Sequence, residues 1–65
     1  MNDAYLERAK EKIKDPRLLS IVASRRARQL ARKLARPMVK TDDKEYLDIA
    51  LLEIAEGLVD LEKKK

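Results

Sequence analysis

The chain has 65 residues, with 16 Lys and Arg against 12 Asp and Glu for a net charge of +4; it is 45% apolar, 43% charged and 3% aromatic, and it has no Cys, His, Phe or Trp. Without cysteine there is no disulfide framework, zinc ribbon or thiolate nucleophile, and without histidine the commonest general base and neutral metal ligand are both missing. Gly57 is the sole glycine, so no phosphate-cradling glycine-rich loop can form, and the hydroxyls of Ser20, Ser24, Thr41, Tyr5 and Tyr46 stay weak nucleophiles for want of a nearby base. An enzyme acting alone is not expected, and neither is a cofactor or a metal.

The apolar residues number 29, of which eight are alanine. A core built from the remainder is thin: a domain of this size draws only ~3–5 kcal/mol from it, which points to completion by a partner surface. The segment from Met1 to Lys14 is charged throughout, and no apolar run approaches the ~20 residues that span a bilayer. The expectation is a soluble, unprocessed protein, with residues 1–65 forming one domain.

Two prolines punctuate three helical patterns. In the first, about 3–14, Tyr5, Leu6, Ala9 and Ile13 share a narrow arc, and Asn2 or Asp3 can cap it. Asp15 followed by Pro16 reads as an N-cap with proline at the first helical position, where the missing N–H costs nothing. The second helix is expected over about 16–35, because Arg36 precedes Pro37 and is pushed out of the helical region. Pro37 to Thr41 form a proline-containing loop, after which Asp42 and Glu45 resemble a capping box opening a third helix over about 43–61.

The core stripe of that third helix is Leu47, Ala50, Leu51, Ile54, Ala55, Leu58 and Leu61. Gly57 lies inside the pattern, and because Leu58 and Leu61 keep the period the helix is expected to continue through it rather than end there. Lys63 to Lys65 suit a helix C-terminus and then a frayed tail. No strand-like alternation or repeat occurs, so the fold class is all-α, a small three-helix domain.

The net charge hides an uneven distribution. Residues 1–16 balance four acids with four bases, residues 17–40 hold eight bases and no acid, and residues 41–62 hold eight acids and one base. A basic helix is followed by an acidic one. On a wheel of the second helix, Leu19, Ala23, Ala27, Leu30, Ala31 and Leu34 form the core arc, with Arg25, Arg26, Arg28, Gln29, Arg32, Lys33 and Arg36 opposite. Leu18, Ile21 and Val22 fall on the arginine side, where they either meet a partner or lie under the first helix folded back. Leu52 and Val59 form a similar second patch on the third helix.

The basic helix has more than one use. A helix-turn-helix reading would place it in a DNA groove, with the Asp15-Pro16 junction as the turn. The acidic third helix and the lack of an aromatic side chain in this stretch oppose that. A free-standing bundle that dimerises through its spare apolar patches is a further reading. Arginine also serves protein recognition, gripping carboxylates and backbone carbonyls at an interface.

Two blocks carry a resemblance. Leu19 to Leu30, containing Arg25-Arg26-Ala27-Arg28-Gln29-Leu30, and Ile49 to Leu58, containing Ile49-Ala50-Leu51-Leu52-Glu53-Ile54 and Gly57, resemble the omega subunit of bacterial DNA-directed RNA polymerase. The first looks like that family's R-R-A-R-Q-[LI] signature after a short apolar run, and the second like its I-A-L-x-E-I-x-x-G segment. The Arg26-Ala27 pair and the spacing from Ile49-Ala50 to Glu53 are also similar to the related small subunit of archaeal and eukaryotic polymerases. The resemblance spans roughly Asp15 to Val59.

It implies a non-catalytic subunit that clasps the largest, beta-prime, subunit and promotes its folding and assembly into the transcription enzyme, without a specific nucleic-acid contact or a membrane. Leu18, Ile21 and Val22 would then meet that partner, and Arg25, Arg26, Arg28 and Gln29 would supply charge-assisted hydrogen bonds to it. Glu53, Ile54 and Gly57 would position the third helix for the same contact. In some relatives a basic N-terminal segment helps to bind guanosine tetraphosphate. This chain begins Met1-Asn2-Asp3-Ala4-Tyr5, with an acid where a phosphate site would want a base, and that site is not carried over.

Overall fold

A computed structural model describes residues 2–42 and 44–59 and contains three helices, α1 (Asp3–Lys12), α2 (Pro16–Ala31) and α3 (Tyr46–Ala55), with no strand among the described residues. The all-α expectation holds. Both N-terminal caps form as the sequence predicts. The Asn2 Oδ1 accepts from the backbone N–H groups of Ala4 and Tyr5, and the Asp15 Oδ1 accepts from that of Arg17 with Pro16 inside the first turn. Each cap satisfies amides that the helix itself leaves without acceptors.

The helices end earlier than their apolar periodicity suggests. In α2 the chain leaves the helix at Arg32 instead of running to Ala35. Lys33 adopts a left-handed conformation with φ 61°, its N–H donates to the Leu30 carbonyl, and the Leu34 N–H donates to the Gln29 carbonyl. α3 closes in the same way. Gly57 has φ 75°, its N–H donates to the Ile54 carbonyl, and the Leu58 N–H reaches back to that of Glu53. These paired bonds are the Schellman motif, which requires one left-handed residue just past the helix. Gly57 is therefore a helix stop, and the expectation of a helix running through it is wrong. Leu61 and the Lys63 to Lys65 tail lie outside the described residues.

The connection between α2 and α3 is consequently longer than the short loop around Pro37, running from Arg32 to Glu45. The anticipated capping box is absent. Asp42 sits in a turn with φ 42°, closed by the Lys44 N–H donating to the Thr41 carbonyl at 2.7 Å, and the N-cap of α3 is Glu45, whose side chain makes no capping bond. α1 also stops short of residue 14, at Lys12.

α3 is the central element. It packs along both α1 and α2, which scarcely touch each other. Asn2 pairs its backbone N–H with Asp48, and Arg8 pairs with Glu56 further along, so α1 and α3 run in the same direction. The core gathers Ala9 and Ile13 from the first helical segment, Leu19 and Ala23 from α2, and Leu51 and Ile54 from α3, with Tyr5, Leu6, Val22, Leu47 and Val59 packed against them. A helix covered from two sides must be apolar nearly all round. In α3, Ile49 and Glu53 are buried as well as Ala50, Leu51, Ile54 and Ala55, a wider face than the single predicted stripe. In α2 the core arc is narrower than predicted: Ala27 is half-buried, Ala31, the last residue of the helix, is exposed, and Leu34 is exposed beyond the helix end.

The two helix stops make opposite predictions. A Cβ at Gly57 would meet nothing closer than Lys12 Nζ at 4.0 Å, so Gly57→Ala costs only the left-handed backbone penalty, about 1 kcal/mol. Lys33→Gly relieves that penalty and should stabilise the chain by a few tenths to about 1 kcal/mol, less what is lost to greater freedom of the unfolded chain. Urea unfolding of both variants checks the pair. Equal midpoints for Gly57→Ala and the parent would show that the cap contributes nothing.

Candidate functional site

The residues named from the sequence divide into an inner and an outer set. Glu53 is completely buried, and its carboxylate is the acceptor around which three segments meet. Arg26 Nε donates to Oε1 at 2.6 Å, Arg26 Nη2 donates to Oε2 at 3.4 Å, and the backbone N–H of Met38 donates to Oε2 at 2.7 Å. Arg26 in turn donates from Nη2 to the Arg36 carbonyl at 3.0 Å and from Nη1 to Gln29 Oε1 at 3.4 Å. One ion pair thus fastens α2, α3 and the connection between them.

The premise of an exposed Arg26 is therefore incorrect: only 14% of its side chain is accessible, against none of that of Glu53. The reason is geometric. Arg26 lies three residues after Ala23 and four before Leu30, on the buried line Leu19-Ala23-Arg26-Leu30, and Glu53 follows Ile49 by one turn on the face of α3 that meets it. A charged residue at a core position of one helix and an opposite charge at a core position of the next is the sequence signal for such a pair. Arg36 and Met38 take part through backbone atoms, and no side-chain pattern marks them.

The inner set also includes Ile54, buried in the core, and Val22, half-buried against it; Gln29 is half-buried beside Arg26. Gly57 is exposed and closes α3. The outer set is Leu18, Ile21, Arg25 and Arg28, all exposed. α1 does not fold back over them, because it lies against α3. Of the second patch on α3, Leu52 is half-buried and Val59 packs on the core, so that patch is absorbed by the chain itself.

Other polar features are weaker. The Arg8–Glu56 pair at 2.7 Å is about half exposed on both sides, and pairs of that kind contribute less than about 1 kcal/mol. A cleft of about 560 Å³ beside the connection is bordered by Lys33, Arg36, Asp42, Lys44 and Tyr46, where Lys44 already lies 3.6 Å from Asp42. Among the described residues no group of three or more Asp and Glu side chains lies together as a metal site would need. No described helix is long and apolar enough to cross a membrane. The helix-turn-helix reading is not favoured, since its two helices must pack on each other whereas α1 and α2 scarcely meet.

Removing one partner of a buried ion pair strands the other and costs about 3–5 kcal/mol, comparable to all the stability a core of this size provides. Arg26→Ala and Glu53→Ala should therefore each lose most of the helical circular dichroism at 25 °C. The double variant Arg26→Met, Glu53→Leu should recover cooperative unfolding, because neither charge is left buried. A parent-like unfolding midpoint for Arg26→Ala would refute the structural role of the pair.

The chain matches the family model of RNA polymerase Rpb6 over residues 18–61. That stretch covers most of α2, the connection and α3, and contains Arg26, Glu53 and Gly57. No curated protein and no solved structure matches the chain. With two thirds of its length in the match, the chain belongs to the RNA polymerase Rpb6 family of non-catalytic RNA polymerase subunits.

Proposed function

We propose that the chain is an omega-type subunit of a bacterial RNA polymerase, acting in the cytoplasm as a single domain of residues 1–65. It binds the largest, beta-prime, subunit and promotes the folding and assembly of that subunit into the core enzyme. Family membership supports a polymerase partner, and the Arg25 to Leu30 block supports the bacterial form. The observation that carries the reading is the outer face of α2. Leu18 and Ile21 are exposed apolar side chains on a helix whose opposite face already forms the core, and a subunit of a larger assembly is the situation in which such residues become buried.

The mode of action follows from linkage. A subunit that binds folded beta-prime and not its unfolded chain shifts the folding equilibrium by mass action, and needs no chemistry to do so. Of the residues that the resemblance assigns to the partner, Leu18, Ile21, Arg25 and Arg28 are exposed, which supports a direct contact for these four. Arg26, Gln29, Val22, Glu53, Ile54 and Gly57 act indirectly, by holding α2 and α3 in the arrangement that presents that face.

Purification of the tagged protein from its native host should recover the large polymerase subunits in stoichiometric amounts. Recovery of the chain alone, or as a dimer of itself on sedimentation, would overturn the reading.

A further inference from the structure

The outer face of α2, continued by its C-cap residue Arg32, carries five residues in one line: Leu18, Ile21, Arg25, Arg28 and Arg32. Their steps alternate three and four, the spacing that keeps a seam facing a neighbouring helix along its length. At 100° per residue they lie within an arc of about 80°, and at 1.5 Å per residue they extend over about 21 Å. All five are exposed, Leu18 at 41% and Ile21 at 56%.

The line is apolar at its N-terminal end and cationic at its C-terminal end. Among the described residues no carboxylate lies within salt-bridge distance of Arg25, Arg28 or Arg32, while Arg8, Lys10, Arg26 and Lys44 each have one. Nor are the acids of α3 at hand. Glu53 is held by Arg26, Glu56 by Arg8, and Asp48 accepts from the Asn2 N–H. Among the described residues the three guanidinium groups thus have no acidic partner, and they lie beside two exposed apolar side chains.

Resting on the reading of the chain as a subunit of a larger assembly, we propose that this line is the docking seam for one amphipathic acidic helix of the large polymerase subunit, laid antiparallel to α2. Its apolar residues would cover Leu18 and Ile21, and its carboxylates, at matching three- and four-residue spacing, would pair with Arg25, Arg28 and Arg32. The antiparallel direction follows from the helix dipoles. Carboxylates are best placed in the N-terminal half of the incoming helix and cations in the C-terminal half of α2, and only an antiparallel pairing brings those halves together. A nucleic acid would use the arginines but gain nothing from Leu18 and Ile21, and α2 has no aromatic side chain on which a base could stack.

The test uses full-length protein and purified core enzyme freed of this subunit, with affinity measured at 50 and 300 mM salt. Arg25→Glu with Arg28→Glu should weaken binding at least tenfold at low salt, and raising the salt should no longer weaken it further. Ile21→Asp should weaken binding at least tenfold at both salt concentrations. All these positions are exposed, and circular dichroism verifies that each variant is folded; Arg25→Gln with Arg28→Gln replaces the reversal if it is not. Parent-like affinity in the folded variants, with the parent itself binding, overturns the seam and leaves the polymerase reading intact. Failure of the parent to bind the core overturns that reading. Binding of the free chain to duplex DNA that is lost in the arginine variants and kept in Ile21→Asp assigns the face to nucleic acid and overturns the seam in that way.

Discussion

A carboxylate with no solvent contact can persist as an ion only if its oxygens are filled by strong donors, and Glu53 meets that condition with the Arg26 guanidinium and the Met38 amide. Most other features of the structure follow from where those donors must come from. The Met38 amide has to return to α3, and the Arg36 carbonyl has to reach Arg26. If α2 continued as a helix to Ala35, the following backbone would be carried along the helix axis away from Arg26. Lys33 accepts a left-handed conformation at that point, and the chain folds back instead.

The pair also gives α2 two separate roles on two faces. Arg26 faces inward beside Leu19, Ala23 and Leu30, whereas Arg25 and Arg28, its neighbours in the same block, face outward. Residues of one signature therefore divide between internal structure and outer surface. Glu53 and Gly57 belong to the first kind, one as a buried acceptor and the other as a helix stop. Alteration at those positions would change the shape of the chain and not its outer surface.

A core this small leaves little reserve. The buried set contains four alanines and a glutamate alongside its larger aliphatic side chains, so part of the order comes from the polar pair and the helix caps. Directional bonds of this kind specify one arrangement of helices where a few apolar contacts would allow several. That arrangement leaves Leu18 and Ile21 on the outside, consistent with a module whose remaining apolar surface is covered only in a complex.

Much of this was legible in the residues. Asn2 and Asp15-Pro16 mark two helix starts, because short polar side chains before a turn have one preferred use, and the charge segregation and the apolar excess on α2 can be counted directly. The inner role of Arg26 was also present, in its place between Ala23 and Leu30, but charged side chains are so rarely buried that position alone did not identify it. Three things depended on tertiary contacts. The end of α2 at Arg32, with lysine in a conformation that usually selects glycine, has no local signal. The placing of α1 on α3, which leaves Leu18 and Ile21 uncovered, depends on which apolar stripes find each other. The joining of Arg26 and Glu53, 27 residues apart, happens only when both helices present those positions to the same point. Local sequence sets helix starts and faces through short-range bonds and periodicity; the pairing of faces, and the helix ends it dictates, is decided by long-range burial.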